Sequence, residues 1–465
     1  MEMNDSKYDY MATPLESITG MHTQLPTLFA DFTLRNEQDV EDVITLMGSV
    51  RTYMNSILDY TKKQEEKGTL MIDIDSIKEY CEKVVKEDVN SSVLTGLNQS
   101  IDDLNLGDEK TTQYKEELKK AFQEEFLPTY SDIVNVMEAL DTAKNNTQGL
   151  SHMKNGKDYY ELLFKQAIGT DKSIKEIQKE LKTLADASLK TAQNTLMDDM
   201  ELAKDYMNGN MKTSYTDFQN MLKDLNNAIK DDFPSVGDLD YNIQPIGEDL
   251  ASGGVAAYFN IPALDSTEKK QIRVNMMKDA LDIQSLETFS TLAHEGIPGH
   301  MYQIAYEYQN TKDNWSKSIA NFLGYTEGYA TYVELYSLKY LKDVSKNTVT
   351  LQQNLTAYQN CIVALSDIGI HYEGWSEEET KEFLSDNGLE VPDISNFYKQ
   401  IQSNPTAFLS YYVGYAQIAD LKNEVQDELK DKYSDLGFHT ALLKSGGAPF
   451  SVVEENIEEY IDDTK

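Results

Sequence analysis

The chain has six histidines in 465 residues, at positions 22, 152, 294, 300, 371 and 439. Two of them lie in His294-Glu295-Gly296-Ile297-Pro298-Gly299-His300, directly after the mostly apolar Phe289-Ser290-Thr291-Leu292-Ala293. Imidazoles beside a carboxylate form a donor set that suits zinc, which takes neutral nitrogens and a carboxylate and leaves one position for water. A glutamate next to the first ligand can accept the proton of that water. Histidines four apart share a helix face, but these are six apart. On an unbroken helix, at ~100° per residue, their side chains diverge by about 120°. Pro298 and Gly299 lie between them, and a proline there breaks or kinks the helix. Two readings stay open on spacing alone: one metal site across a broken helix, or a helix ending at Gly296-Ile297 with His300 capping the next.

A third donor strengthens the metal reading. In Thr326-Glu327-Gly328-Tyr329-Ala330-Thr331-Tyr332-Val333-Glu334 two carboxylates stand seven apart and share a helix face. Their neighbours are Tyr, Ala, Tyr and Val, which suits an inward-facing position. Glu327 follows His300 by 27 residues, enough for a turn and a returning helix. Glu327 is the expected third ligand, and Glu334 a partner supporting the ligands from behind.

The elements that must position these groups read mostly as helix. Apolar residues recur at helical spacing over 36–66, 74–87, 110–126, 129–145, 157–168, 172–206, 211–230, 283–310 and 317–343. The same holds for 348–371, 376–386, 393–402, 406–430 and 451–462. The 172–206 stretch reads as one amphipathic helix of a bundle, with a coiled-coil arm as the other reading. Residues 253–261 and 271–276 break the pattern and predict two short strands immediately before the His294 helix. A peptidase uses such an edge strand to hold a substrate backbone extended.

Composition sets outer limits. The formal charge of −37 disfavours nucleic acid and anionic membranes as partners. Arginine occurs only at 35, 51 and 273, and the two cysteines, Cys81 and Cys361, do not make a disulfide framework. No stretch approaches the ~20 apolar residues of a membrane span. Neither a basic nor an apolar leader segment is visible at Met1–Asp5. The first convincing element comes after Thr13-Pro14, so the chain is expected to be part of a longer protein.

Further motifs carry a resemblance. The segment His294 to His300 with Gln303, the segment Glu327 to Glu334, and Asp367, Gly369, His371, Gly374 and Trp375 resemble motifs of the bacterial "domain of unknown function 885" family. Tyr411-Tyr412-Val413-Gly414, Phe438-His439 and Gly446-Gly447-Ala448-Pro449 resemble segments nearer the C-terminus of that family. The likeness runs from about Met11 to the C-terminus. It departs in Tyr329, where the family has Trp, in the lack of arginine over 356–366, and in Lys422 near a second arginine position. The family is distantly similar to gluzincin peptidases of the thimet oligopeptidase type. The resemblance implies zinc held by His294, His300 and Glu327, with Glu295 as general base. It implies His371 and Tyr411 as hydrogen-bond donors to the developing oxyanion, and Asp367 as the group orienting His371. Relatives that begin with a lipoprotein or secretory signal imply a cell-envelope or extracellular location, with the cytoplasm as the alternative.

The expected fold is mostly α, a large helical bundle around a cleft with a small antiparallel sheet at the active site. Residues 1–240 form one wall, from which the family's N-terminal part is missing, and 241–465 the catalytic half. The expected function is zinc-dependent hydrolysis of peptide bonds in oligopeptides. The alternatives are a metal-dependent amidase acting on a non-peptide or cell-wall amide, and a non-catalytic envelope protein on the same scaffold.

Overall fold

The computed structural model describes residues 5–251, 255–264, 269–277, 281–312, 314–319 and 322–465. It is mostly helical with one small sheet. Helix limits follow local chemistry. Asn36 caps the long helix Glu37–Lys67 by accepting the Gln38 and Asp39 amides, and Gly68 ends it in the left-handed conformation. Ser173 and Glu176 form a reciprocal capping box at the start of Ile174–Asp198. The stretch expected as one helix over 172–206 breaks at Asp199, whose side chain caps a second helix, Met200–Met207. It is a bundle helix rather than an arm, packed along Lys346–Ile368.

Among the described residues, two large hydrophobic cores stand beside two small clusters. One joins residues from Leu15 to Leu140 with Ile246, Leu250 and Ala251. The other gathers residues from Leu150 onward, with Tyr8, Met11 and Met71, and surrounds the His294 region. Helix Leu323–Ser337 lies along helix Ala407–Leu429 inside the second core. That crossing is very close. A Cβ on Gly414 would fall 2.0 Å from the Gly324 carbonyl oxygen and 2.7 Å from the Gly328 Cα.

The sheet differs from the antiparallel pair expected. It has three strands, β1 (Tyr241–Pro245), β2 (Ala257–Asn260) and β3 (Lys270–Val274), in the order β1-β3-β2. β2 pairs antiparallel with β3, with Phe259 opposite Ile272, whereas β1 pairs parallel, with Ile243 opposite Ile272. Residues 253 and 254 of the expected first strand lie outside the described residues. Asp31 ties the sheet to the N-terminal helices, accepting the Arg273 Nε at 2.8 Å and the Tyr258 hydroxyl at 2.7 Å.

Candidate functional site

Helix Leu286–Glu295 starts at Ser285, whose hydroxyl accepts the Thr288 amide at 2.9 Å, and stops at Gly296. The next helix begins at His300 and runs to Asn310. Between them the Gly299 amide donates to the Ala293 carbonyl at 2.9 Å. A Cβ on Gly299 would stand 1.8 Å from the His294 carbonyl oxygen, so only glycine lets the chain fold back this tightly. The Tyr329 hydroxyl fastens the turn by donating to the Pro298 carbonyl at 2.9 Å. His294 and His300 thus sit on different helices, their rings edge to face with centroids 4.7 Å apart. The interruption at 296–299 removes the angular objection to a six-residue spacing.

Glu327, in the second turn of Leu323–Ser337, completes the cluster. Its Oε2 lies 3.4 Å from His294 Nε2 and 3.2 Å from His300 Nε2. The three candidate donor atoms all fall within 4.8 Å of one another. A tetrahedral ion with bonds of ~2.0–2.1 Å has ligand atoms about 3.3 Å apart, so two of the three edges already match. His294 Nδ1 donates to Glu334 Oε2 at 2.8 Å, which fixes the ring and leaves Nε2 facing Glu327. Glu295 keeps its Oε1 4.0 Å from His294 Nε2, while its Oε2 accepts the Phe259 amide of β2 at 2.8 Å. The Tyr411 ring lies nearly parallel to that of His294, with centroids 6.0 Å apart.

The charges in this pocket are strongly coupled. Burial alone would lower the His294 imidazole, but the hydrogen-bonded Glu327 and Glu334 and the charge of Glu295 hold it well above its ordinary range. His300 is likewise raised against its burial by Glu327. Glu327 is buried yet driven far below the carboxylate range by the two imidazoles. Glu295 moves up because burial outweighs the pull of the histidines. Tyr411, raised by burial and by the Glu327 and Glu295 carboxylates, stays protonated and able to donate. Carboxylate oxygens and two imidazoles thus converge on one small volume, and that donor chemistry fits a divalent metal.

The structure does not bring His371 and Asp367 into this cluster. His371 is fully buried, accepts the Leu150 amide on Nδ1 at 3.2 Å and donates from Nε2 to the Ile401 carbonyl at 3.0 Å. Both ring nitrogens are committed to backbone, so neither is free for an oxyanion. Asp367 does not orient His371 either. It accepts the Tyr160 hydroxyl at 2.5 Å and the Thr406 amide at 3.1 Å, and the Tyr160 ring stacks on His371. A wide, π-type turn over Gly369–Glu373 comes after Asp367, so the pair is not joined across a regular helical turn. His439 is also packed inside the fold, stacked on Phe233 at 3.9 Å and bonded to the Asp232 carbonyl and the Tyr332 hydroxyl. Lys422 joins that network through Tyr332 at 2.9 Å and Asp435 at 3.2 Å.

Burial lowers His371 from the ordinary value of 6.5 to about 4. The unfolded chain therefore takes up this proton first as pH falls, and the stability that neutral His371 confers is full above pH 6.5 and lost below it. Relative to His371→Gln, the wild-type chain is expected to lose roughly 2 kcal/mol more stability between pH 7.5 and pH 5, read from urea midpoints. Equal losses would show that His371 does not carry that slope.

Comparison with known proteins fits this geometry into a family. Residues 1–457 match the family described as "Bacterial protein of unknown function (DUF885)". The chain belongs to that family. No curated protein matches the DUF885 chain. Solved structures share its fold, among them two bacterial proteins. One, described as a "putative lipoprotein from Colwellia psychrerythraea", superposes with a TM-score of 0.81 at 16% identity, covering 97% of this chain and 80% of its own. The other, a "putative lipoprotein of unknown function from Shewanella oneidensis", gives a TM-score of 0.63 at 16% identity, covering 97% and 84%. Among the described residues of the DUF885 chain, no helix is long and apolar enough to cross a membrane.

Sequence reasoning missed two positioning features of this site. The Phe259 amide, which holds Glu295, is a backbone group and leaves no residue-type signal. The Gly328–Gly414 crossing beside Glu327 joins residues far apart in the chain. Gly324 and Gly328, four apart, were the only hint of it.

Proposed function

We propose that this protein is a zinc-dependent hydrolase of peptide bonds in oligopeptides. The observation that carries the reading is one carboxylate oxygen of Glu327 at 3.2 and 3.4 Å from two imidazole nitrogens, with the buried carboxylate of Glu295 beside them. His294, His300 and Glu327 would hold the ion. When bound, zinc supplies Lewis acidity, making water a nucleophile near neutral pH and polarising the carbonyl under attack.

The chain's own residues do the rest. Glu295, its affinity for a proton raised by burial, accepts the proton of the attacking water and can pass it to the departing amine. The Phe259 amide keeps that carboxylate in place. Tyr411, protonated and stacked beside His294, donates to the oxyanion. β2 is the edge strand of its sheet and carries Phe259, so a substrate backbone can lie along it next to Glu295. The description of both solved relatives as lipoproteins supports placing the protein in the cell envelope.

Metal analysis tests the reading directly. Gently purified protein is expected to carry about one zinc per chain and to gain thermal stability when zinc is restored after chelation. Less than about half an equivalent, with no gain on adding zinc, removes the metalloenzyme reading. Glu334→Ala is expected to weaken zinc binding by roughly 10–100-fold through loss of the His294 hydrogen bond, measured by competition with a chromogenic chelator. Unaltered affinity would leave Glu334 without a supporting role.

A further inference from the structure

A cavity of about 870 Å³ lies between the N-terminal helix Met21–Ala30 and the sheet, outside the His–Glu cluster; Phe259, in its lining, donates its amide to Glu295. That volume is near the upper end of the ~300–1,000 Å³ range typical of pockets that enclose a small organic ligand. Its walls include Leu25, Leu28, Phe32, Ile246, Leu250 and Ile261. Apolar side chains of the lining also stand open to solvent: Leu28 is 57% exposed and Ile261 56%. Exposed apolar groups gathered at one mouth mark a binding surface.

Two polar groups in the lining have no partner among the described residues. Tyr80 is only 9% exposed, and its hydroxyl makes no hydrogen bond. The Gln271 Oε1 of β3 is buried and likewise unbonded. Buried polar atoms are costly unless paired, so a ligand that draws these two side chains toward the cavity and pairs them supplies what they lack. Gln271 Oε1 needs a donor, and Tyr80 can give a proton to an acceptor. An ionised fatty acid offers acceptors only. A peptide offers N–H and C=O together with apolar side chains. The Phe259 amide points away from β3 toward Glu295, so the alternate residues Ala257 and Ile261 share that unpaired side of β2.

We propose that this cavity is the specificity subsite of the enzyme, holding a bulky apolar side chain of an extended peptide, with Tyr80 and Gln271 bonding the peptide groups that flank it. The substrate class is then oligopeptides with a large aliphatic or aromatic residue beside the scissile bond; this assignment rests on the peptide-hydrolase reading above.

The test measures binding apart from hydrolysis. Full-length protein carrying Glu295→Gln is loaded with zinc, and a fluorescein-labelled Phe-containing alanine hexapeptide is displaced by capped alanine hexapeptides carrying Phe, Leu, Ala or Asp at the third position. The Phe and Leu peptides are expected to compete roughly tenfold to a hundredfold better than the Ala and Asp peptides. Leu28→Glu, at an exposed position, should erase most of that difference without changing the melting temperature. Tyr80→Phe should weaken the Phe peptide about threefold to tenfold. Equal competition by all four peptides overturns the subsite, as does tighter, Leu28-dependent displacement by dodecanoate. Wild-type hydrolysis without apolar preference defeats the subsite and leaves the hydrolase. Apolar preference in binding without any hydrolysis by zinc-loaded wild-type protein defeats the hydrolase and leaves a peptide-binding cavity.

Discussion

Glu295→Gln is expected to lower kcat/KM for a peptide substrate by roughly 10²–10⁴-fold, the range for removing a general base, while zinc content and melting temperature stay close to wild type. The substitution is informative because Glu295 has two duties. Its Oε2 accepts the Phe259 amide, and a glutamine oxygen can accept the same bond. The strand therefore stays in register and only the proton-accepting capacity is removed. Glu295→Ala would remove both and confound them. Matched stopped-flow or fluorogenic assays on the wild type and Glu295→Gln, with metal content measured on each sample, decide the matter. Activity within about threefold of wild type would take Glu295 out of the chemistry, given the size of effect a general base provides.

Gly414→Val is expected to be strongly destabilising beside the candidate metal site. The methyl-bearing Cβ would meet the Gly324 carbonyl oxygen at 2.0 Å and the Gly328 Cα at 2.7 Å, and these are backbone atoms that cannot rotate away. Overpacking costs about 1–3 kcal/mol where side chains can adjust, and here the helices themselves must separate. Glu327 adjoins Gly328, and Tyr411 lies one turn before Gly414. Parting the helices pulls a candidate ligand and a candidate proton donor away from His294. A loss of at least about 3 kcal/mol in urea unfolding is expected, with zinc affinity falling in parallel. The control is Gly48→Ala, in the exposed middle of helix Glu37–Lys67, where an added Cβ meets nothing within 4 Å. It should stabilise by about 0.5–1 kcal/mol. If Gly414→Val melts within a degree of wild type, the close crossing does not constrain the site.

Much of the helical framework was readable because long amphipathic runs such as 36–66 and 348–371 bury one face and end at caps the residue types announce. The break between His294 and His300 was readable too, since Pro298 and Gly299 cannot continue a helix. Elements held by distant contacts were not. Helix Met21–Ala30 contains Pro26, and helix Ser92–Asp103 contains Gly96, so local propensity argued against both. β1 is half-buried along its length and ends in a proline, and it gains strand character only by pairing with β3 nearly thirty residues later. The misreading of Asp367 and His371 has the same origin. The family resemblance suggested a pair, but Tyr160 and Thr406 from elsewhere in the chain claimed the carboxylate, and the backbone around Leu150 and Ile401 claimed the ring.

The two cores carry an evolutionary corollary. The His294–His300–Glu327 cluster and its supports grow out of the core that begins near Leu150, whereas Leu25, Ile246 and Leu250, which face the cavity, belong to the other. β2, β3 and the Asp31–Arg273 link join the two surroundings. Substitutions that reshape the far wall need not disturb the His–Glu cluster. On the proposed reading, a lineage could therefore change what it recognises, one apolar residue at a time, while the metal cluster is inherited unaltered.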